Sequence, residues 1–136
     1  MKISITIAFI CAAWCVFGET YRDERGQLLA TSTTSGNRTT YRDSSGRLIG
    51  TATTDSYGKT TFRDAQGRLQ GASATSSSGT TTYRDGSGRL QGTSRQSTAG
   101  TMTYRDASGR NQGSSKTVNG TTTYRDGMGR LRGTKR

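Results

Sequence analysis

Arginine and aspartate are the residues of this chain whose type and spacing could do chemistry. Arg42 and Arg47, Arg63 and Arg68, Arg84 and Arg89, Arg105 and Arg110, and Arg125 and Arg130 come in pairs, and each pair brackets an aspartate: Asp43, Asp64, Asp85, Asp106 or Asp126. A guanidinium group presents a planar fork of donors that suits carboxylates, phosphates and sulfates, so these ten arginines are candidate anion-binding residues. The aspartates invite a catalytic reading, but a catalytic carboxylate is normally a singular residue in a special environment. An acid that returns in every copy is better explained by turn geometry. The chain has no His, and its two cysteines, Cys11 and Cys15, both lie near the N-terminus. Ser and Thr abound, yet no base stands ready to activate one. No EF-hand or calcium-repeat pattern is present. The expectation is a non-enzymatic protein with no catalytic residue, no metal site and no cofactor.

The pairs belong to a longer motif, Tyr-Arg-Asp-x-x-Gly-Arg-Leu. It runs from Tyr21 (with Gln27 in the Arg place), Tyr41, Phe62, Tyr83, Tyr104 (with Asn111 in the Leu place) and Tyr124. The steps are 20, 21, 21, 21 and 20 residues. A fixed period in this range means a repeat architecture. Within each copy, Asp-x-x-Gly is the signature of a type I turn followed by a left-handed Gly, the three-residue hairpin loop with a G1-type bulge. The flanks, rich in Thr, Tyr and Leu and free of Pro, read as strands. A second set of glycines, Gly36, Gly58, Gly79, Gly100 and Gly120, stands in variable small-polar contexts and reads as looser, exposed loops. Each repeat is then two strands and two turns, and the chain is a continuous antiparallel meander.

The N-terminus is a different substance. Lys2 is followed by a nearly all-apolar run, Ile3 to Phe17, which reads as a secretory signal peptide over 1–18, too short for a comfortable membrane span. Export to the periplasm, cell envelope or outside follows. Cleavage near Gly18 leaves no cysteine, so hydrogen bonds and a core must hold the repeats together. From Glu19 to Arg136 composition does not break, and 19–136 reads as a single β-hairpin repeat domain. The even spacing and the tyrosines argue against disorder, although the polar composition is typical of it.

Each copy supplies one aromatic and usually one Leu, too little for a thick sandwich. A three-residue turn would set Arg42 opposite Leu48 and Tyr41 opposite Ile49, with Tyr and Leu on different faces unless a bulge intervenes. The reading adopted is Leu toward the centre and Tyr in cross-strand rows with its hydroxyl near solvent. Edge strands invite aggregation, and closure removes them. The expected fold class is therefore all-β: antiparallel hairpin repeats of about 21 residues closing into a shallow symmetric barrel or ring of about five petals. A β-solenoid or open meander is the alternative.

Two families resemble this pattern. Tyr-x-Asp-x-x-Gly-Arg-Leu with a following Gly-x-x-x-Tyr is similar to the YD (Rhs-type) repeats of bacterial secreted shells, although Arg splits Tyr from Asp here. In size, the stretch Tyr21 to Gly133 resembles the β-flower group, small exported bacterial proteins of short Gly-containing hairpin repeats that form a shallow barrel, in its five-fold version. That resemblance implies the fold and no catalytic residue.

Charge completes the sequence reading. Without Lys2, 19 of the 20 basic side chains remain against 9 acidic ones. The bland explanation is that each Arg pairs with its turn Asp and keeps the ring soluble. The surplus exceeds what such pairing needs and favours an anion-binding surface: an anionic membrane surface (lipid head groups) or acidic polysaccharide, with nucleic acid ranked behind these. The expected function is an exported, non-enzymatic binding or structural module of the cell envelope. The alternative is self-association into an extracellular fibre or adhesin subunit.

Overall fold

The structure, a computed structural model, describes residues 19–136; the signal-peptide reading and both cysteines lie outside the described residues. The strands are β1 (Glu19–Asp23), β2 (Leu28–Ser35), β3 (Arg38–Asp43), β4 (Leu48–Thr54), β5 (Lys59–Asp64), β6 (Leu69–Thr75), β7 (Thr80–Asp85), β8 (Leu90–Gln96), β9 (Thr101–Asp106), β10 (Asn111–Val118), β11 (Thr121–Asp126) and β12 (Leu131–Lys135). Each pairs antiparallel with its neighbours in sequence, and β1 pairs with β12, so the sheet is a closed barrel. No edge among these strands is left to template another chain. The all-β hairpin barrel expected from the repeat is the architecture found. It holds six Asp-turn hairpins and five intervening turns; the β1–β12 seam stands where a sixth turn would be, so the barrel counts six hairpins where a count of the second turn gives five.

The Asp turns form for the local reason given above. In the second hairpin the Asp43 N–H donates to the Arg47 carbonyl at 2.9 Å and the Gly46 N–H to the Asp43 carbonyl at 3.0 Å. Gly46 sits at φ 83°. The second set of turns is tighter than expected. Those at Gly58, Gly79 and Gly100 repeat the same pair of backbone bonds, through Asp55, Ser76 and Ser97. The remaining two are two-residue turns: Ser35 pairs with Arg38 across Gly36-Asn37, and Val118 with Thr121 across Asn119-Gly120. Asn119 at φ 49° and Gly120 at φ 76° have the type I′ form that twists with its strands. Variable composition here reflects two tight turn geometries met by different residues, not looseness.

The core corrects the choice of inner face. Five of the six ring residues, Tyr21, Tyr41, Phe62, Tyr104 and Tyr124, are 4–9% exposed and Tyr83 is half-buried, whereas Leu28, Leu48, Leu69, Leu90 and Leu131 are 37–46% exposed. The cause is a second bulge in every hairpin. Arg42 pairs with Leu48 as expected, but Tyr41 pairs with Gly50 instead of Ile49, which is left over as the bulged residue. The same shift recurs in the other five hairpins. It places five of the six aromatics beside a Gly, and Tyr21 beside Ala30. The other strand neighbours are small: Ser32 faces Tyr41, Ala52 faces Phe62 and Ser94 faces Tyr104. Buried phenols need partners. Tyr83 and Ser94 hydroxyls meet at 3.0 Å, Tyr104 and Ser115 at 2.8 Å, and the Tyr21 hydroxyl donates to Glu19 Oε2 at 2.8 Å. Nearer the second set of turns, Thr hydroxyls pair across strands at 2.8–2.9 Å: Thr34 with Thr39, Thr54 with Thr60, Thr75 with Thr81 and Thr117 with Thr122.

Candidate functional site

Every Asp turn lies at the same end of the barrel, because each joins an odd strand to the following even one. Both rows of candidate arginines therefore gather on one rim. Arg42, Arg63, Arg84, Arg105 and Arg125 close their strands on the outer face, and all are exposed. Each swings along its hairpin and donates from Nη1 to the turn Gly carbonyl, that of Gly46, Gly67, Gly88, Gly109 or Gly129, at 2.8–3.0 Å. Arg22 makes the same bond to Gly26. The bland explanation, Arg paired with turn Asp, fails for this row: its partner is a neutral carbonyl, so no direct ion pair caps these guanidinium groups.

Arg47, Arg68, Arg89, Arg110 and Arg130 form the second row, at the turn tips. Their main chain belongs to the turn; their side chains project outward. Arg68 is paired, its Nε 3.3 Å from Asp64 Oδ2, with a side chain 74% exposed. Such an exposed pair is worth little. Arg132, outside the two rows, reaches Asp126 Oδ2 at 3.5 Å. The third ion pair among the described residues, Lys135 to Glu19 at 2.8 Å, belongs to the seam.

The turn aspartates are occupied by their own backbone. Asp85 Oδ1 accepts the N–H groups of Ser87 and Arg89, both at 2.9 Å. Asp106 and Asp126 do the same with Ser108 and Arg110, and with Met128 and Arg130. These bonds favour the ionised form. The Arg89, Arg110 and Arg130 N–H groups are the main cause that holds Asp85, Asp106 and Asp126 below the ordinary value of 3.8. For Asp43 the first cause is the Ser45 hydroxyl, followed by the Arg47 N–H. Local hydrogen bonding accounts for these shifts, and it belongs to turn structure.

Two features of the rim were missed from sequence. The residues displaced by the second bulge reach toward the turn Asp. Gln70, Gln91 and Gln112 donate to Asp64, Asp85 and Asp106 Oδ2 at 3.1–3.2 Å. In the first hairpin the same place holds Leu29, which packs on the Tyr21–Tyr41–Ala52–Phe62 cluster. The signal was the polar run Gln, Gln, Gln, Arg after Leu29 and Ile49, but only the bulge tells which way it faces. The second missed feature is the exposure of the Leu row, whose pairing with Arg was expected. Cross-strand register sets Leu28 beside Arg22, Leu48 beside Arg42, Leu69 beside Arg63, Leu90 beside Arg84 and Leu131 beside Arg125. In the fifth hairpin Asn111 stands beside Arg105.

Among the described residues no group of three or more His, Cys, Asp or Glu lies close enough to hold a metal ion. Compared with known proteins, the chain matches no family model, and no curated protein is significantly similar to it.

Proposed function

We propose that this protein is an exported, non-enzymatic module of the cell envelope that binds anionic ligands through the arginine rim at its Asp-turn end. The observation that carries the reading is the state of the first Arg row. Six guanidinium groups are held at one height by six backbone carbonyls, which orders them without neutralising them. Ordering in advance lowers the entropy lost when a ligand is bound, and a ring of like charge focuses a positive field on that end. The β-flower resemblance supports the architecture and lends no ligand. The fibre reading is weaker, because the closed sheet offers no free edge strand and would have to open to propagate.

The test is retention of residues 19–136 on an immobilised acidic polysaccharide and on anionic vesicles across a salt series, with light scattering to give the mass in solution. Binding to at least one anionic matrix that weakens steeply with salt is expected. The triple variant Arg42→Gln, Arg84→Gln, Arg105→Gln should elute much earlier with an unchanged far-UV circular dichroism spectrum. Absence of binding at low salt would sink the reading, and concentration-dependent growth in mass would move the fibre to first place.

A further inference from the structure

We infer that the Asp-turn rim is built to dock on an anionic lipid bilayer, with its leucines entering the interface and its arginines meeting the head groups. The inference rests on the anion-binding reading and narrows it from anions at large to a lipid surface.

The first argument is the alternation. A soluble polyanion needs cations, not aliphatic side chains. This rim carries both, in fixed register: five of six hairpins place an exposed Leu directly across from an ordered Arg. Going round the ring, the sixth, first, second, third and fourth hairpins follow one another, so the five leucines recur on consecutive hairpins, one on every second strand between the arginines, and the fifth hairpin, with Asn111, is the gap. Met128, 82% exposed at the tip of the sixth hairpin, extends the same series. Exposed apolar side chains interleaved with basic ones are the composition that seats a protein in the interface of an anionic bilayer.

The second argument is the contrast with the other end. There the turns carry Arg38, Lys59, Arg95 and Lys116. That end is basic too, yet among the described residues its large exposed apolar side chains are only Tyr57 and Val118, at separate turns. Charge alone does not separate the two ends; the interleaved leucines do. A curved arc on the rim of a barrel can meet a flat, deformable surface along its length, which suits a bilayer better than a compact protein partner. The chemistry of such contact is known in outline: basic groups near an anionic leaflet each add attraction that salt screens, and apolar groups add a part that salt does not.

The experiment uses residues 19–136, which close the sheet by themselves. Co-sedimentation is measured with vesicles of phosphatidylcholine alone and of phosphatidylcholine with phosphatidylglycerol, and heparin affinity is measured in parallel. Wild type should bind the anionic vesicles and not the neutral ones. The variant Leu48→Thr, Leu69→Thr, Leu90→Thr keeps every charge and a β-branched residue at each strand position. It should lose about tenfold or more in affinity for anionic vesicles and leave heparin affinity unchanged. The Tyr57→Ser variant, at the opposite end, should bind vesicles as wild type does. Vesicle binding unaltered by the leucine variant would overturn the inference while leaving the anion reading intact, as would binding to heparin but not to vesicles. Binding to neither would overturn both. Should the leucine variant fail to give a β-rich spectrum, the single variants Leu48→Thr and Leu90→Thr give the same readout in smaller steps.

Discussion

Adding one methyl group at Gly92 tests how closely β8 and β9 approach. A Cβ there would land on the backbone carbonyl oxygen of Arg105 in the adjacent strand. That carbonyl cannot yield without disturbing the β8–β9 ladder, so Gly92→Ala should destabilise by about 1–3 kcal/mol, as overpacking does. Gly88 makes a different demand. Its surroundings are open, but its φ is +82°, so Gly88→Ala costs about 1–2 kcal/mol for backbone conformation alone. Asn tolerates that region better than Ala, and this chain already places Asn119 at positive φ. Thermal unfolding followed by circular dichroism should therefore rank Gly88→Asn above Gly88→Ala, whereas no side chain rescues Gly92. Equal tolerance of Ala at both sites would mean that the strands do not approach as described. These roles differ in how plainly sequence announces them. Gly88 was legible, because Asp-x-x-Gly is a local signature. Gly92 was not, because the carbonyl that crowds it belongs to Arg105 of the next strand, which no short window contains.

The hairpin is the scale at which sequence spoke most clearly, and also where it misled. Asp, Gly and the flanking Thr and Tyr determine the turn through bonds spanning four residues, so strands and turns could be read directly. The face of each strand could not. Two bulges per hairpin, one at the turn Gly and one after Leu, together restore Tyr to the inside, and counting only the first inverts the core. The arginines show the same limit: their presence on the rim was plain, but their bond to a Gly carbonyl in place of Asp depends on how the turn carbonyl points. The turns carry a pH prediction of their own. Asp43, Asp85, Asp106 and Asp126 are held below 3.8 in the folded chain by hydrogen bonds that the unfolded chain lacks. A depressed folded value means that the stabilisation is present above the unfolded value and is lost as pH falls through the folded one. Denaturation midpoints should hold level from neutral pH down to about 5 and then fall below about 4. The variant with all four replaced by Asn keeps an acceptor oxygen but loses the linked proton, and its acid limb should be flatter. A wild-type curve without an acid limb would remove the turn carboxylates from the account of stability.

Closure of the whole barrel depends on one junction that is not covalent. At the seam Tyr21 pairs with Lys135, Arg22 with Thr134 and Asp23 with Gly133. Thr20 and Arg136 exchange backbone bonds at 2.8 and 3.1 Å, and Lys135 reaches Glu19 through a half-buried ion pair. In geometry this is another hairpin with its turn missing, since β12 ends beside the start of β1, at the end of the barrel that carries the five second turns. Joining Arg136 to Glu19 through a short linker containing Asn-Gly, the pair that already turns β10 into β11, should complete the sixth turn. New termini can then be opened between Ser78 and Gly79, in a turn whose residues are exposed. Such a permuted chain should fold to the same β-rich barrel, because every strand keeps both neighbours and only the order of connection changes. Its stability should match or exceed that of the parent if the natural seam is the place where the sheet first opens, since the ion pair and backbone bonds there are reinforced by a chain link that cannot part. Hydrogen exchange separates the cases. In the parent, amides of β1 and β12 should exchange ahead of those in β5 to β8; in the permuted chain that early exchange should move to the strands flanking the new break, β6 and β7. An unfolded or aggregating permutant would mean that closure of the ring depends on which seam is left open, and that the six hairpins are not equivalent units of the fold.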